Sequence, residues 1–221
     1  MNRKKKILLS ALVLGAIAAV AGATFATFNA QTTNPGNRIA AGTLVLGNTP
    51  ASTGTECLST NGGTTNTNVG NCAQLINLSV KKPGDSGQAD VKLQNKGSLA
   101  GTVFNVFMPS CAAGDAAGES YHGTGDPCTV VMLTIAEYTD NTYGTLASCL
   151  YGTGSSCDFD TTKTLSTFTA TYNSSATGKG LSSLAAGGSR YYRVAVKLPD
   201  TADNTYQGRS ATFDLSWFLQ Q

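Results

Sequence analysis

The six cysteines are the residues of this chain whose chemistry is easiest to infer. An even number of cysteines in an exported protein favours disulfides over metal ligands or catalytic thiols. Six cysteines allow about 15 connectivities, and sequence alone does not select one. Zinc is the alternative, but no Cys-x-x-Cys spacing is present. The clustering favours sequential pairs, which are Cys57–Cys72, Cys111–Cys128 and Cys149–Cys157.

A second segment of interest, Gly84-Asp85-Ser86-Gly87, superficially matches the nucleophile segment of chymotrypsin-like serine proteases. A serine nucleophile needs a histidine base that a carboxylate orients. The single histidine, His122, follows the serine, whereas that family places its histidine before it. A turn at Pro83 and Gly84 explains the segment without catalysis. A secreted peptidase is therefore the least favoured function.

The residues that could bind a metal ion form no recognised metal-site pattern. His122 with Glu119 and Asp126 could form a weak site, but zinc enzymes usually draw on two or three histidines, so we favour a solvated loop histidine. Calcium would use loop carboxylates, yet the Asp-x-Asp-x-Asp-Gly order is missing and these are ordinary turn residues. The acidic loop residues are Asp140, Asp158, Asp160, Asp200 and Asp203. The sequence predicts neither an enzyme nor a cofactor.

The N-terminus has the pattern of a secretory signal peptide over residues 1–26. Four basic residues, Arg3 to Lys6, precede an apolar run from Ile7 to Val20, and small residues up to Ala26 follow. The apolar run is short beside the ~20 residues that a membrane-spanning helix needs, although an uncleaved anchor is the alternative. We expect export by a signal peptidase and no membrane attachment after cleavage.

The charge balance excludes one class of partner. The chain has 15 Lys and Arg against 13 Asp and Glu. Removal of residues 1–26, which hold four basic and no acidic residues, leaves 11 against 13, a net charge of −2. No basic stripe remains to follow phosphates, so nucleic-acid binding is not expected.

Short alternating segments indicate an all-β fold with two layers. Ala211, Phe213, Leu215 and Trp217 share one face, which predicts a strand over 211–217. A helix is expected only near Thr142–Leu150 or Leu181–Ala186, and residues 48–72 and 110–128 are expected to be loops pinned by the bridges. The other predicted strands are Leu44–Leu46, Ile76–Val80, Ala89–Gln94, Val103–Met108, Val130–Glu137, Phe168–Tyr172 and Tyr192–Leu198.

Three groups of segments, in this order along the chain, resemble one family of exported bacterial proteins, the TasA/camelysin family. They are Gly22-Ala-Thr-Phe-Ala26 with Thr27-Phe28-Asn29 and Ala41-Gly42-Thr43-Leu44; Lys82-Pro83-Gly84-Asp85 with Lys92-Leu93-Gln94-Asn95-Lys96-Gly97-Ser98-Leu99; and Asn204-Thr-Tyr-Gln207-Gly208 with Phe213, Leu215 and Trp217. The resemblance implies cleavage between Ala26 and Thr27 by a dedicated signal peptidase. It also implies a jelly-roll-like antiparallel β-sandwich and a role in biofilm-matrix or cell-surface fibres. The six cysteines depart from the family pattern.

A fibre subunit needs a way to join copies of itself. An extended segment of one copy can pair with an open sheet edge of the next, and such head-to-tail contacts can continue into a filament. The segment 27–43, beginning Thr27, Phe28, Asn29, Ala30 and Gln31, is the candidate donor strand, with a disordered leader as the alternative. The domain would then be residues 44–221.

The rival function is an extracellular adhesin or glycan-binding module that contacts cell-wall or matrix components. Aromatic residues in long loops would serve such binding, and Tyr121, Tyr143 and Tyr151 are the candidates.

Overall fold

The computed structural model of the chain describes residues 38, 40–62, 66–68, 70, 72–76 and 82–221. The predicted signal peptide 1–26, the cleavage point between Ala26 and Thr27, and the donor residues Thr27 to Gln31 lie outside this range, as does most of the predicted strand Ile76–Val80. Contacts divide the chain after Ala40, and every element below belongs to the second unit, Ala41–Gln221.

Strands dominate the described residues. They are β1 Leu46–Pro50, β2 Cys57–Leu58, β3 Ser86–Asn95, β4 Val103–Phe107, β5 Cys111–Asp115, β6 Met132–Tyr138, β7 Leu146–Tyr151, β8 Lys179–Gly180, β9 Ser189–Lys197, β10 Arg209–Phe213 and β11 Ser216–Gln220. One α-helix, α1, spans Leu165–Thr171, and short 3₁₀ turns lie at Ser59–Gly62, Pro127–Thr129 and Asn204–Tyr206. The two predicted loops therefore contain strands: the end of β1 and all of β2 lie within 48–72, and β5 lies within 110–128.

The largest sheet has six antiparallel strands in the order β2-β1-β3-β9-β6-β7. Its two long central strands pair from Ser86 with Lys197 to Gln94 with Ser189. Side chains alternate across a strand, so Tyr192 and Val194 are fully buried on the inner face. The alternation predicted for the 192–198 segment is therefore the inner face of β9.

A bent ribbon forms the other layer, and it consists of β4 and β5 on one side and β11 and β10 on the other. β4 pairs with β11 and β8 in one sheet, and β5 pairs with β10 in another. Pairing is continuous up to Phe107 with Ser216 and resumes at Cys111 with Phe213. The prediction of one strand over 211–217 is therefore wrong at Asp214 and Leu215, because residues 108–110 bulge opposite them. The four side chains predicted to share a face still do so, and all pack on the core.

An aromatic contact joins the two layers. Tyr192 of β9 stacks on Trp217 of β11 with ring centroids 5.2 Å apart. Phe104 of β4 meets the same Tyr192 edge-on at 6.2 Å. Such pairs add about 0.5–1.5 kcal/mol to the burial of the rings themselves. The predicted all-β antiparallel fold is confirmed, and the jelly-roll connectivity stays a prediction.

The strand predicted over Phe168–Tyr172 is wrong. Leu165 and Phe168, three residues apart, bury one face of helix α1. Thr164 caps its N-terminus, because its hydroxyl accepts the backbone N–H of Thr167 at 3.2 Å. The Thr167 hydroxyl oxygen in turn accepts the backbone N–H of Thr164 at 2.8 Å, which completes a capping box. The cap outweighs the strand preference of a segment rich in threonine and aromatic residues.

Neither predicted helix position holds a helix. Residues 146–150 belong to β7, which pairs with β6. The segment Leu181–Ala186 carries only a single bridge, between Leu184 and Gly101. The strand predicted over Leu44–Leu46 begins instead at Leu46. Residues 146–150 and the segment Leu181–Ala186 lie beside the edges of longer strands, which hold both segments extended.

Candidate functional site

The six cysteines form the three sequential disulfides. Cys57–Cys72, Cys111–Cys128 and Cys149–Cys157 span 15, 17 and 8 residues. Disulfides are typical of an extracellular or otherwise oxidising environment. The bridges pin loops that are rich in polar residues.

The candidate protease motif is a turn. Gly84 has a φ of 88°, and its N–H donates to the Leu198 carbonyl at 3.0 Å. Ser86 then begins β3, opposite Lys197. His122 lies elsewhere, with its Nδ1 at 2.7 Å from the Gly208 carbonyl and 3.9 Å from an Asp115 oxygen. Serine and histidine are thus engaged in different backbone contacts.

The candidate metal ligands are also engaged. Asp126 accepts the backbone N–H of Cys128 at 2.8 Å and begins the 3₁₀ turn, while the carboxylate that lies 3.9 Å from the His122 ring is that of Asp115. In the described ranges no cluster of three or more His, Cys, Asp or Glu side chains is arranged for a metal ion.

Three of the loop aspartates share one turn chemistry. Asp140, Asp160 and Asp203 each accept hydrogen bonds from the backbone and hydroxyl of the threonine two residues later. These bonds stabilise the carboxylate and lower the pKa of all three aspartates. Three of the five aspartates that suggested calcium therefore build Asx turns, while Asp200 forms an ion pair with Lys197 at 2.9 Å.

An apolar groove of about 560 Å³ lies among the described residues. Three stretches line it: residues in and around β1 and β2, the end of the Cys57–Cys72 loop, and nine consecutive residues from Ala211 to Leu219. Its apolar lining includes Leu46, Leu58, Leu75, Phe213, Trp217 and Leu219. The groove has the chemistry of a site that receives apolar side chains.

Side-chain hydrogen bonds hold the disulfide loop at the rim of this groove. The Ser59 hydroxyl accepts the N–H of Leu46 at 3.0 Å and donates to the Asn66 amide oxygen at 2.6 Å. The Asn66 amide nitrogen donates in turn to the Leu44 carbonyl. Asn48, also in the lining, has a buried side-chain oxygen without a hydrogen-bond partner among the described residues.

The strand β11 borders the groove and is the outer strand of its sheet. Within the described strands it pairs with β4 on one side only, in the order β11-β4-β8. An outer strand presents backbone N–H and C=O groups that another extended chain can pair with. The site therefore combines an apolar floor with a strand edge that no other described strand pairs with.

The three tyrosines chosen from the sequence have different surroundings. Tyr121 is an isolated loop residue with 58% exposure, and Tyr151 is buried to 8%. The Tyr151 hydroxyl bonds to the Thr167 hydroxyl at 2.8 Å, so it belongs to the core. Tyr143 lies against Tyr138 and Tyr191 on the main sheet.

Sequence reasoning missed both surface features. The groove depends on the register of distant strands, which no local pattern contains. The cluster around Tyr143 had a partial signal, because Tyr191 and Arg193 alternate with the buried face of β9. We call Tyr138, Tyr143, Tyr191, Arg193 and Asp90 the tyrosine–arginine patch.

Comparison of the chain with protein-family models and with curated proteins finds no match. No helix in the described part of the chain has both the length and the apolar character needed to cross a membrane.

Proposed function

We propose that the protein is a secreted structural subunit of the biofilm matrix or cell surface, which forms fibres by strand donation. In this proposal the N-terminal segment of one copy, freed by signal peptidase, adds as a strand to the next copy. The groove beside the edge of β11, with which no second described strand pairs, is the observation that carries the proposal. Its apolar floor and unpaired strand edge are the two elements that strand addition needs.

The dimensions of the groove suit the proposed donor. The lining includes four residues of β11, Ser216 to Leu219, and a segment that pairs along all five residues of β11 spans about 17 Å at ~3.3 Å per residue. The segment from Thr27 to Gly42 has 16 residues. It is long enough to fill the groove and leave several residues as a connector between copies.

The composition of the donor also fits a filament subunit. Phe28 offers an aromatic side chain, and Ala30 a small one, on the same face of an extended strand. Each subunit gives its segment to the next, so the contact is head-to-tail and need not close.

The surrounding fold would preserve the shape of the acceptor groove outside the cell. The disulfide Cys57–Cys72 fixes the loop at the groove rim, and such bridges persist in an oxidising extracellular setting. Similarity to the TasA/camelysin segments points to the same role. No catalytic activity is part of the proposal.

Two chain lengths test it. Protein that begins at Thr27 should form filaments that are visible by negative-stain electron microscopy, and protein that begins at Leu44 should remain monomeric. A variant with Leu219→Arg, in the full-length donor background, should also stay monomeric because it places a charge in the apolar floor. A matched change outside the groove, Val103→Arg, should polymerise normally, since Val103 is already 44% exposed. Equal polymerisation by both chain lengths would refute strand donation.

A further inference from the structure

The tyrosine–arginine patch lies on the face of the main sheet that points away from the core. Strand register places Tyr138 opposite Tyr191 and Asp90 opposite Arg193. The intervening Tyr192 faces inward and is fully buried. The patch is therefore separate from the groove, which is lined by inner-face and ribbon residues.

A bidentate ion pair forms the centre of the patch. The Arg193 Nε lies 2.6 Å from one Asp90 oxygen and Nη2 lies 2.8 Å from the other. The Nη1 donates to the Tyr138 hydroxyl at 3.3 Å. The guanidinium carbon also lies 4.8 Å from the Tyr138 ring centre and 5.8 Å from that of Tyr143. The forked guanidinium group of Arg193 is thereby held in one orientation.

Tyr143 is placed over the sheet by an unusual backbone conformation. Its φ is 52°, a left-handed conformation that costs an L-residue about 1–2 kcal/mol. The ring meets Tyr138 at 5.9 Å and Tyr191 at 6.1 Å, both edge-on. Burial raises the pKa of Tyr143 to about 12, so its hydroxyl stays protonated and can both donate and accept hydrogen bonds.

Charges in the patch cancel. Arg193 and Asp90 form an ion pair, while Lys92, opposite Tyr191, and Asp140, in the turn before Tyr143, add one charge of each sign. An ionic ligand would therefore gain little electrostatic attraction from the patch. Three of the five N–H groups of an arginine are used here, and the other two, with the phenols, remain for a neutral polar ligand.

We propose that the tyrosine–arginine patch binds neutral carbohydrate, such as a wall or matrix glycan. Half-buried tyrosine rings supply apolar faces for the C–H surface of a sugar, and phenol, guanidinium and carboxylate groups supply hydrogen bonds to its hydroxyls. Tyrosine and arginine are also enriched in protein–protein interfaces, and the test separates that outcome. The proposal does not depend on fibre formation.

The test uses protein recovered from the medium after expression of the whole chain in a secreting bacterial host. Isothermal titration calorimetry would measure binding to cello-, chito-, xylo- and mannohexaose, with heparin as the anionic comparison. We expect binding to at least one neutral hexasaccharide, and at least tenfold weaker binding after Tyr143→Asn. Asparagine tolerates the left-handed backbone, so this change removes the ring without straining the turn.

Matched variants complete the experiment. Arg193→Lys keeps the charge but loses the fork and should also weaken binding, whereas Tyr121→Asn should leave it within twofold. Tyr191→Thr, which preserves strand preference, replaces Tyr143→Asn if the latter melts below the parent protein. The proposal is overturned by no binding to any neutral sugar, by binding to heparin alone, or by undiminished binding in folded patch variants. A change in sedimentation rather than in sugar binding would overturn it in favour of a protein interface.

Discussion

Tyr192 gives a prediction about stability that runs against the usual effect of core truncation. Its ring is fully buried, and its hydroxyl is a buried atom without a hydrogen-bond partner among the described residues. Burial raises the pKa of Tyr192, which shows the same poor solvation of the hydroxyl. Tyr192→Phe keeps the ring that stacks on Trp217 and removes only the unsatisfied group.

The magnitude follows from two opposing contributions. An unsatisfied buried polar group costs about 1–3 kcal/mol, and a void of one oxygen atom costs on the order of 0.5 kcal/mol. The free energy of unfolding should therefore rise by about 1 kcal/mol. For a domain of this size that is a rise of roughly 2–4 °C in Tm.

Tyr151→Phe is the matched control. Its hydroxyl bonds to the Thr167 hydroxyl at 2.8 Å, so its loss should lower the free energy of unfolding by about 1 kcal/mol. Urea unfolding and differential scanning calorimetry of the two variants would measure both effects with disulfides intact. An unchanged or lower stability of Tyr192→Phe would refute the reasoning, because the hydroxyl would then have a stabilising partner.

Three further predictions concern stability. Replacing Cys111 and Cys128 with serine removes a cross-link that spans 17 residues and should cost about 3 kcal/mol in urea unfolding; a loss below 1 kcal/mol would contradict this. Thr164→Ala removes the cap of α1 and should cost about 1 kcal/mol by the same measurement, whereas Thr164→Ser should cost much less. The pKa of Asp160 is lower in the folded protein than its ordinary value of 3.8. Its carboxylate therefore stabilises the fold above pH 3.8, and this stabilisation is lost as the pH falls through the lower folded pKa. Thermal melts from pH 5 to 2 should therefore show a weaker acid dependence after Asp160→Asn, and an identical dependence would count against the turn.

Short-range patterns predicted much of the fold. The alternation around Tyr192 and Val194 marked the buried face of β9, and the clustering of cysteines favoured the three pairs that the structure contains. Both patterns depend on neighbours within one segment or loop. Periodicity failed at Phe168, where Thr164 and Thr167 form a cap, because threonine and aromatic residues favour strands when caps are ignored.

The surface features needed information about register. Arg193 meets Asp90 across 103 residues of sequence, and Tyr138 meets Arg193 across 55. Nothing local specifies which residues of two strands will face each other. The groove has the same origin, since residues near Leu46 and Trp217 line it together. Tyr143 alone could be chosen from the sequence, as an aromatic residue in a loop.

Cross-linking between isotopically distinct copies tests the strand-donation proposal most directly. A photoreactive phenylalanine analogue at Phe28 would be placed in protein that begins at Thr27, and this protein would be mixed with ¹⁵N-labelled copies before assembly. Mass spectrometry of the irradiated filaments should find cross-links from light position 28 to heavy residues within 211–219. Cross-links confined to one copy, or to heavy residues away from the groove, would contradict donation of this segment to the edge of β11.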